Sequence, residues 1–147
     1  MSTSLHTLIT DNLAAVTAKD VEAAVATFAS HGVLIDPHYP RPRMAGHTEI
    51  REGLQWVVAG MRELNFTVDS WFFGEDGTSA AVEVSSRHVL ASGRSLEFGQ
   101  CFVVETADGR VIRWQAYEPY GPGGVGGLAL GVSRLKFRRS RRRWRRP

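Results

Sequence analysis

Asp36 is the residue in this chain best placed to do chemistry. It closes the apolar run Val33-Leu34-Ile35 and precedes Pro37, which cannot donate to a sheet ladder and restricts the residue before it. A carboxylate delivered at the end of a buried strand has its charged form disfavoured. Its pKa then rises toward the range in which it can take and return a proton. An Asp before Pro also suits a plain local duty, accepting backbone hydrogen bonds in the turn it begins. His38 follows two residues on, at the rim. Farther along, His88 and Gln100 stand among large apolar neighbours, and Asn12 sits on an apolar stripe. Such groups can donate to a carbonyl oxygen, or each can be a satisfied core residue with a backbone partner. Asp36, Gln100 and His88 form the candidate catalytic set. Asn12, His38, Trp56, Phe72, Phe102, Trp114 and Glu118 are the candidate ligand contacts.

The elements that must position them follow from periodicity. Residues 4–18 read as a first helix, with Leu5, Leu8, Ile9, Leu13 and Val16 on one stripe. Asp20 caps a second, with Val21, Ala24, Val25 and Phe28 at helical spacing, broken at Ser30-His31-Gly32. A third spans about residues 46–61, with Ile50, Leu54, Val57, Val58 and Met61 inward and Trp56 beside them, able to roof a cavity. From Leu64 the period becomes two. Strands are expected at 66–73, 78–90, 95–105 and 110–120, joined by tight turns into an antiparallel meander. Helices first and a meander after indicate an α+β fold, the helices packed on one face of a curved antiparallel sheet.

Alternation assigns the faces. Leu96, Phe98, Gln100, Phe102 and Val104 share one, as do Val82, Val84, Ser86, His88 and Leu90. On the last strand Ile112, Trp114, Ala116 and Glu118 share a face. Trp56, Phe72, Phe102 and Trp114 are expected to line a pocket, whereas outward Trp71 and Tyr117 would bury a homodimer interface. The histidines show no i, i+4 pair on a helix and there is one cysteine, Cys101, so no metal or other cofactor is expected.

The segment DVEAAVATFASHGVLIDP, Asp20 to Pro37, resembles the "aspartate, amphipathic helix, FA-x-x-(small)-x-x-x-DP" stretch of the ketosteroid isomerases. It is equally similar to the wider SnoaL-like, nuclear-transport-factor-2-like superfamily. Gly46-His47-x-x-Ile50-Arg51 resembles the opening of that family's third helix, and Asp108-Gly109-Arg110-Val111-Ile112 its final hairpin. The resemblance covers about residues 5–120. It implies a cone-shaped α+β barrel with one deep apolar pocket, commonly dimeric, and makes Asp36 the general base that moves a proton next to a ketone. The family's donor aspartic acid falls on Gln100 if one residue is gapped in the last turn, and on Cys101 if none is. Its oxyanion tyrosine falls on Asn12 and a supporting tyrosine on Leu54, so the base is kept and both tyrosines are lost. The aspartate–arginine–aspartate set of the epoxide hydrolases has no match in Trp114-Gln115-Ala116-Tyr117. The late acid of the SnoaL cyclases has only Glu118 as a substitute.

The reading is therefore a cofactor-independent isomerase or cyclase acting by acid–base proton transfer on an apolar polyketide-, terpenoid- or steroid-like carbonyl compound. A non-catalytic ligand-binding module and an epoxide-hydrolase-like enzyme are the alternatives. No run of about 20 apolar residues and no basic-then-apolar leader is present, which with the lone cysteine suits a cytoplasmic protein. Charge is unevenly spread: nine of the 18 basic residues lie from Arg134 onward with no acid among them, leaving nine against 15 in the rest. The chain thus divides into a domain at 1–120 and, at 121–147, a glycine-rich linker with an arginine-rich tail. That tail is expected to be disordered, and any contact with nucleic acid would fall to it.

Overall fold

The computed structural model describes residues 4–118 together with Leu135. It forms two units, residues 1–117 and 118–147; of the second only Glu118 and Leu135 are described. The linker and arginine run expected there lie outside the described residues, as does the end of the last strand expected beyond Glu118.

The first unit runs α1 (Leu5–Thr17), α2 (Val21–Ala26), β1 (Phe28–Ile35), β2 (Arg43–Ala45), α3 (Gly46–Gly60), β3 (Met61–Glu63), β4 (Phe66–Phe73), β5 (Ser79–Leu90), β6 (Ser95–Ala107) and β7 (Arg110–Tyr117). Caps set the first two helices: Ser4 Oγ accepts from the Thr7 N–H at 3.1 Å, and Asp20 Oδ1 from the Ala23 N–H at 2.9 Å. The second helix is shorter than its stripe suggested. It stops at Ala26, and Phe28 already pairs with Val111 of β7, because the Val111 N–H donates to the Thr27 carbonyl (2.9 Å) and draws the chain into the sheet. Met61 likewise leaves α3 for β3, where it pairs with Leu90. Arg43–Ala45, unassigned from sequence, pairs with β1 as β2.

β4 to β7 form the expected antiparallel meander, and the α+β class holds. Two features differ from expectation. The sheet is mixed, since β1 lies parallel to β7, and it is open: the order β2-β1-β7-β6-β5-β3 has ends that do not meet, so it is no closed barrel. β1 and β7 approach so closely that a Cβ on Gly32 would stand 2.7 Å from the Val111 carbonyl oxygen, which only glycine tolerates. At the β6–β7 turn both Asp108 (φ 50°) and Gly109 (φ 70°) adopt the left-handed conformation that a two-residue hairpin needs.

Two bulges reassign faces that strict alternation got wrong. Pairing skips from Val68–Val84 to Ser70–Glu83, so Trp71 lies opposite buried Val82 and turns inward, while Phe72 lies opposite Ala81 and turns out. On β7, pairing skips Ile112, which brings Val111 into the core beside Trp114 and Ala116. The core lies between the helices and the concave face, built from Leu8, Ile9, Ile50, Leu54, Val82, Val84, Val104, Val111 and their neighbours.

Candidate functional site

Asp36 follows directly on the Ile35–Gln115 pair and has the parity of buried Leu34. The loop after it is held at both ends. The Asp36 N–H donates to the Pro42 carbonyl (2.9 Å), and the Tyr39 N–H to the Asp36 carbonyl (3.3 Å). Arg41 pairs with Glu49 of α3 at 2.9 Å, and a Cβ on Gly53 would meet the Tyr39 ring at 3.1 Å. The Asp36 side chain is 13% exposed. Burial raises its pKa above the ordinary 3.8, opposed by the hydrogen bond that Oδ1 accepts from the His38 N–H at 2.9 Å. Oδ1 serves the local turn, and no hydrogen bond from a described residue reaches Oδ2. The His38 ring stands 3.6 Å from Oδ1 on a side chain 62% exposed, at the rim as expected.

Asn12 is buried, and its amide has a structural duty. Both hydrogens of Nδ2 go to the protein, one to Thr27 Oγ1 at 2.8 Å and one to the Ala24 carbonyl at 3.3 Å, while Thr27 Oγ1 donates to that same carbonyl at 2.7 Å. It ties α1 to the end of α2 and has no hydrogen left for a ligand. The donor role implied at this position is therefore withdrawn.

The inner face of β5 and β6 differs. His88 is buried, its ring edge-on to Phe66 at 5.0 Å and Phe98 at 5.5 Å. The Asn65 N–H donates to its Nδ1 at 3.3 Å, so in the neutral ring the proton sits on Nε2. Burial lowers its pKa and keeps the ring neutral. His88 is thus an N–H donor with a settled tautomer. Gln100, also buried, donates from Nε2 to Ser86 Oγ at 2.6 Å. No fully enclosed side-chain nitrogen or oxygen among the described residues lacks a partner. His88 Nε2 and Gln100 Oε1, which make no hydrogen bond to a described residue, are therefore atoms that keep open surface on otherwise buried side chains. Phe102 and Trp114, both buried, pack with their rings 5.1 Å apart.

Two expected contacts lie elsewhere. Trp56 is 52% exposed, because it sits three residues from Gly53 on the helix face that meets the loop, and it packs on Tyr39 at 6.0 Å. Phe72 is 57% exposed on the outer face, turned there by the bulge in β4. Glu118 is the first residue of the second unit. Ser86 was seen on the right face without being given a role. Counting outward from the Ala91–Arg94 turn pairs His88 with Leu96, Ser86 with Phe98 and Val84 with Gln100. That register would have set Gln100 diagonal to Ser86 and identified the pair.

Residues 9–114 match the family model of the SnoaL-like domain. No curated protein sequence matches the chain. Among solved structures, a Mycobacterium sp. Δ5-3-ketosteroid isomerase superposes with a TM-score of 0.70 at 17% identity, over 77% of this chain and 91% of that one. A Mycobacterium tuberculosis protein in complex with estradiol-17β-hemisuccinate gives 0.70 at 18%, over 77% and 92%. SalBIII, an epoxide hydrolase/cyclase-like enzyme of pyran ring formation in salinomycin, gives 0.67 at 18%, over 77% and 88%. At these identities the likeness is one of fold.

Proposed function

This chain belongs to the SnoaL-like domain family, and on that premise we propose that it is a cofactor-independent enzyme that moves a proton next to a carbonyl in a small apolar substrate. The observation that carries the reading is Asp36, a carboxylate kept from water with one oxygen uncommitted. Its Oδ2 takes the α-proton, the C–H electron pair forms the enolate double bond as the carbonyl π electrons pass to oxygen, and His88 Nε2–H donates to that oxygen. Returning the proton to a different carbon gives isomerisation; attack of the enolate carbon on a second carbonyl gives ring closure. The isomerase and the cyclase-like enzyme of the same fold support this class of substrate. Epoxide opening is less well supported, because no arginine is among the buried polar residues described.

The test is deuterium uptake at the α-carbon of a bound cyclic ketone in D2O, followed by NMR. Asp36→Asn is expected to slow uptake by about 10²-fold or more. Uptake at the wild-type rate in that variant would remove Asp36 as the base. A binding module without chemistry is the second reading, favoured by a donor set that has lost Asn12; it predicts saturable binding with no uptake even in the wild type.

The outer sheet face supports a homodimer. Phe72, Ala81, Val103 and Gln115 stand side by side in one row across four strands, with Tyr117 exposed beside them. Sedimentation of the wild type against Phe72→Glu tests this.

A further inference from the structure

The concave face of β4, β5 and β6 has one small residue in a row of rings. Ser86 pairs with Phe66 on one side and Phe98 on the other. Two polar side chains from adjacent rows lean over that gap. The His88 ring stands roughly perpendicular to those of Phe66 and Phe98, the two residues flanking Ser86, at centroid distances of 5.0 and 5.5 Å. Gln100 belongs to the row on the opposite side, paired with Val84, and reaches back to Ser86 Oγ at 2.6 Å. The imidazole and the carboxamide therefore flank the Ser86 row on one face, one from each side along the strands. Each keeps an atom without a hydrogen bond to a described residue: a donor, Nε2–H, on His88 and an acceptor, Oε1, on Gln100.

What surrounds them limits the ligand further. The walls are the rings of Phe66, Phe98 and Phe102, which favour a flat apolar body. No lysine or arginine is among the buried polar residues described, so a carboxylate or phosphate on the ligand would meet no countercharge.

We propose that His88 Nε2–H and Gln100 Oε1 together read one polar edge of a neutral, flat ligand, an edge on which a carbonyl oxygen stands beside an N–H or O–H. Carboxamides, enolised 1,3-diketones and hydroxyketones carry such an edge. Ser86 is the positioning residue: its hydroxyl, accepting from Gln100 Nε2 at 2.6 Å, holds the carboxamide where its remaining polar atom can face the ligand. This inference rests on the concave face being the ligand site and adds to it the direction of each hydrogen bond.

Three naphthalene probes of one size test it at pH 7 by fluorescence titration of the full chain. 2-Naphthamide carries both acceptor and donor, 2-acetylnaphthalene the acceptor alone, and 2-naphthoate a charge. The amide is expected to bind about tenfold tighter than the ketone, and the carboxylate weakest. Gln100→Leu should bring amide and ketone level, with Gln100→Met as the unbranched variant if leucine does not fold. His88→Phe should weaken both and preserve their ratio. Ser86→Ala should reduce the amide's advantage several-fold, yet change little when added to Gln100→Leu, which a merely structural serine would not do. An amide with no advantage in the wild type, or one retained in Gln100→Leu, overturns the donor–acceptor reading and leaves Asp36 as base intact. Saturable binding of none of the three overturns the ligand site and this inference with it.

Discussion

Asn12 and Gln100 are both buried carboxamides, yet they do opposite things. Asn12 has its two hydrogens committed to Thr27 and Ala24, and Thr27 returns a bond to the same carbonyl. The group is closed upon itself and joins two helices. Gln100 has one bond, to Ser86, and with its neighbour His88 it keeps polar atoms open among aromatic rings. Burial alone does not separate a structural polar group from a functional one. What separates them is how much of each group's hydrogen-bonding capacity the protein itself uses.

Substitutions can break or sharpen that contrast. The largest effect is expected at Asn12→Leu, which strips two buried hydrogen bonds and should cost about 2–3 kcal/mol in urea unfolding while leaving probe affinity unchanged. A ligand-specific loss with stability intact would reverse the roles assigned to the two amides. His88→Phe should cost no more than about 1 kcal/mol, since a ring still fills the site and only the Asn65 N–H loses its acceptor. It should also flatten the acid limb. Because burial lowers the His88 pKa below its ordinary 6.5, wild-type stability is present above that value and falls as acid forces the ring to charge. Unfolding at pH 7 and pH 5 measures the difference. Asp36→Asn should be the mildest and of opposite sign. The raised Asp36 pKa means that the ionised form burdens the fold once pH rises past 3.8, so asparagine should stabilise slightly at pH 7 and show no gain below 3.8. Loss of stability at pH 7 would mean that the carboxylate is held by more than the His38 turn.

Much of this was legible in the chain because the signals are local. The meander, the capped helices, the strand-ending Asp36-Pro37 and the inward parity of His88, Gln100 and Phe102 all follow from spacing. Trp71, Phe72 and Ile112 were misplaced, since a single extra residue in a strand inverts every side chain beyond it and nothing in Asp69-Ser70 or Ile112 announces the bulge. Trp56 was misread because a helix stripe does not say which second face a loop will cover; the absence of a side chain at Gly53 was the clue. The tie between Asn12 and Thr27, 15 residues apart, depends on how two helices meet, which periodicity does not encode.

The parallel pairing of β1 with β7 also has a bearing on how the molecule comes into being. The strand that delivers Asp36 has its main neighbour some eighty residues downstream, so on the ribosome it waits, with short β2 as its sole strand partner and α3 against it, until almost the whole first unit has emerged. Chains stopped before Arg110 would lack the piece that joins β1 to the meander. The acid is written early, and its setting is completed last.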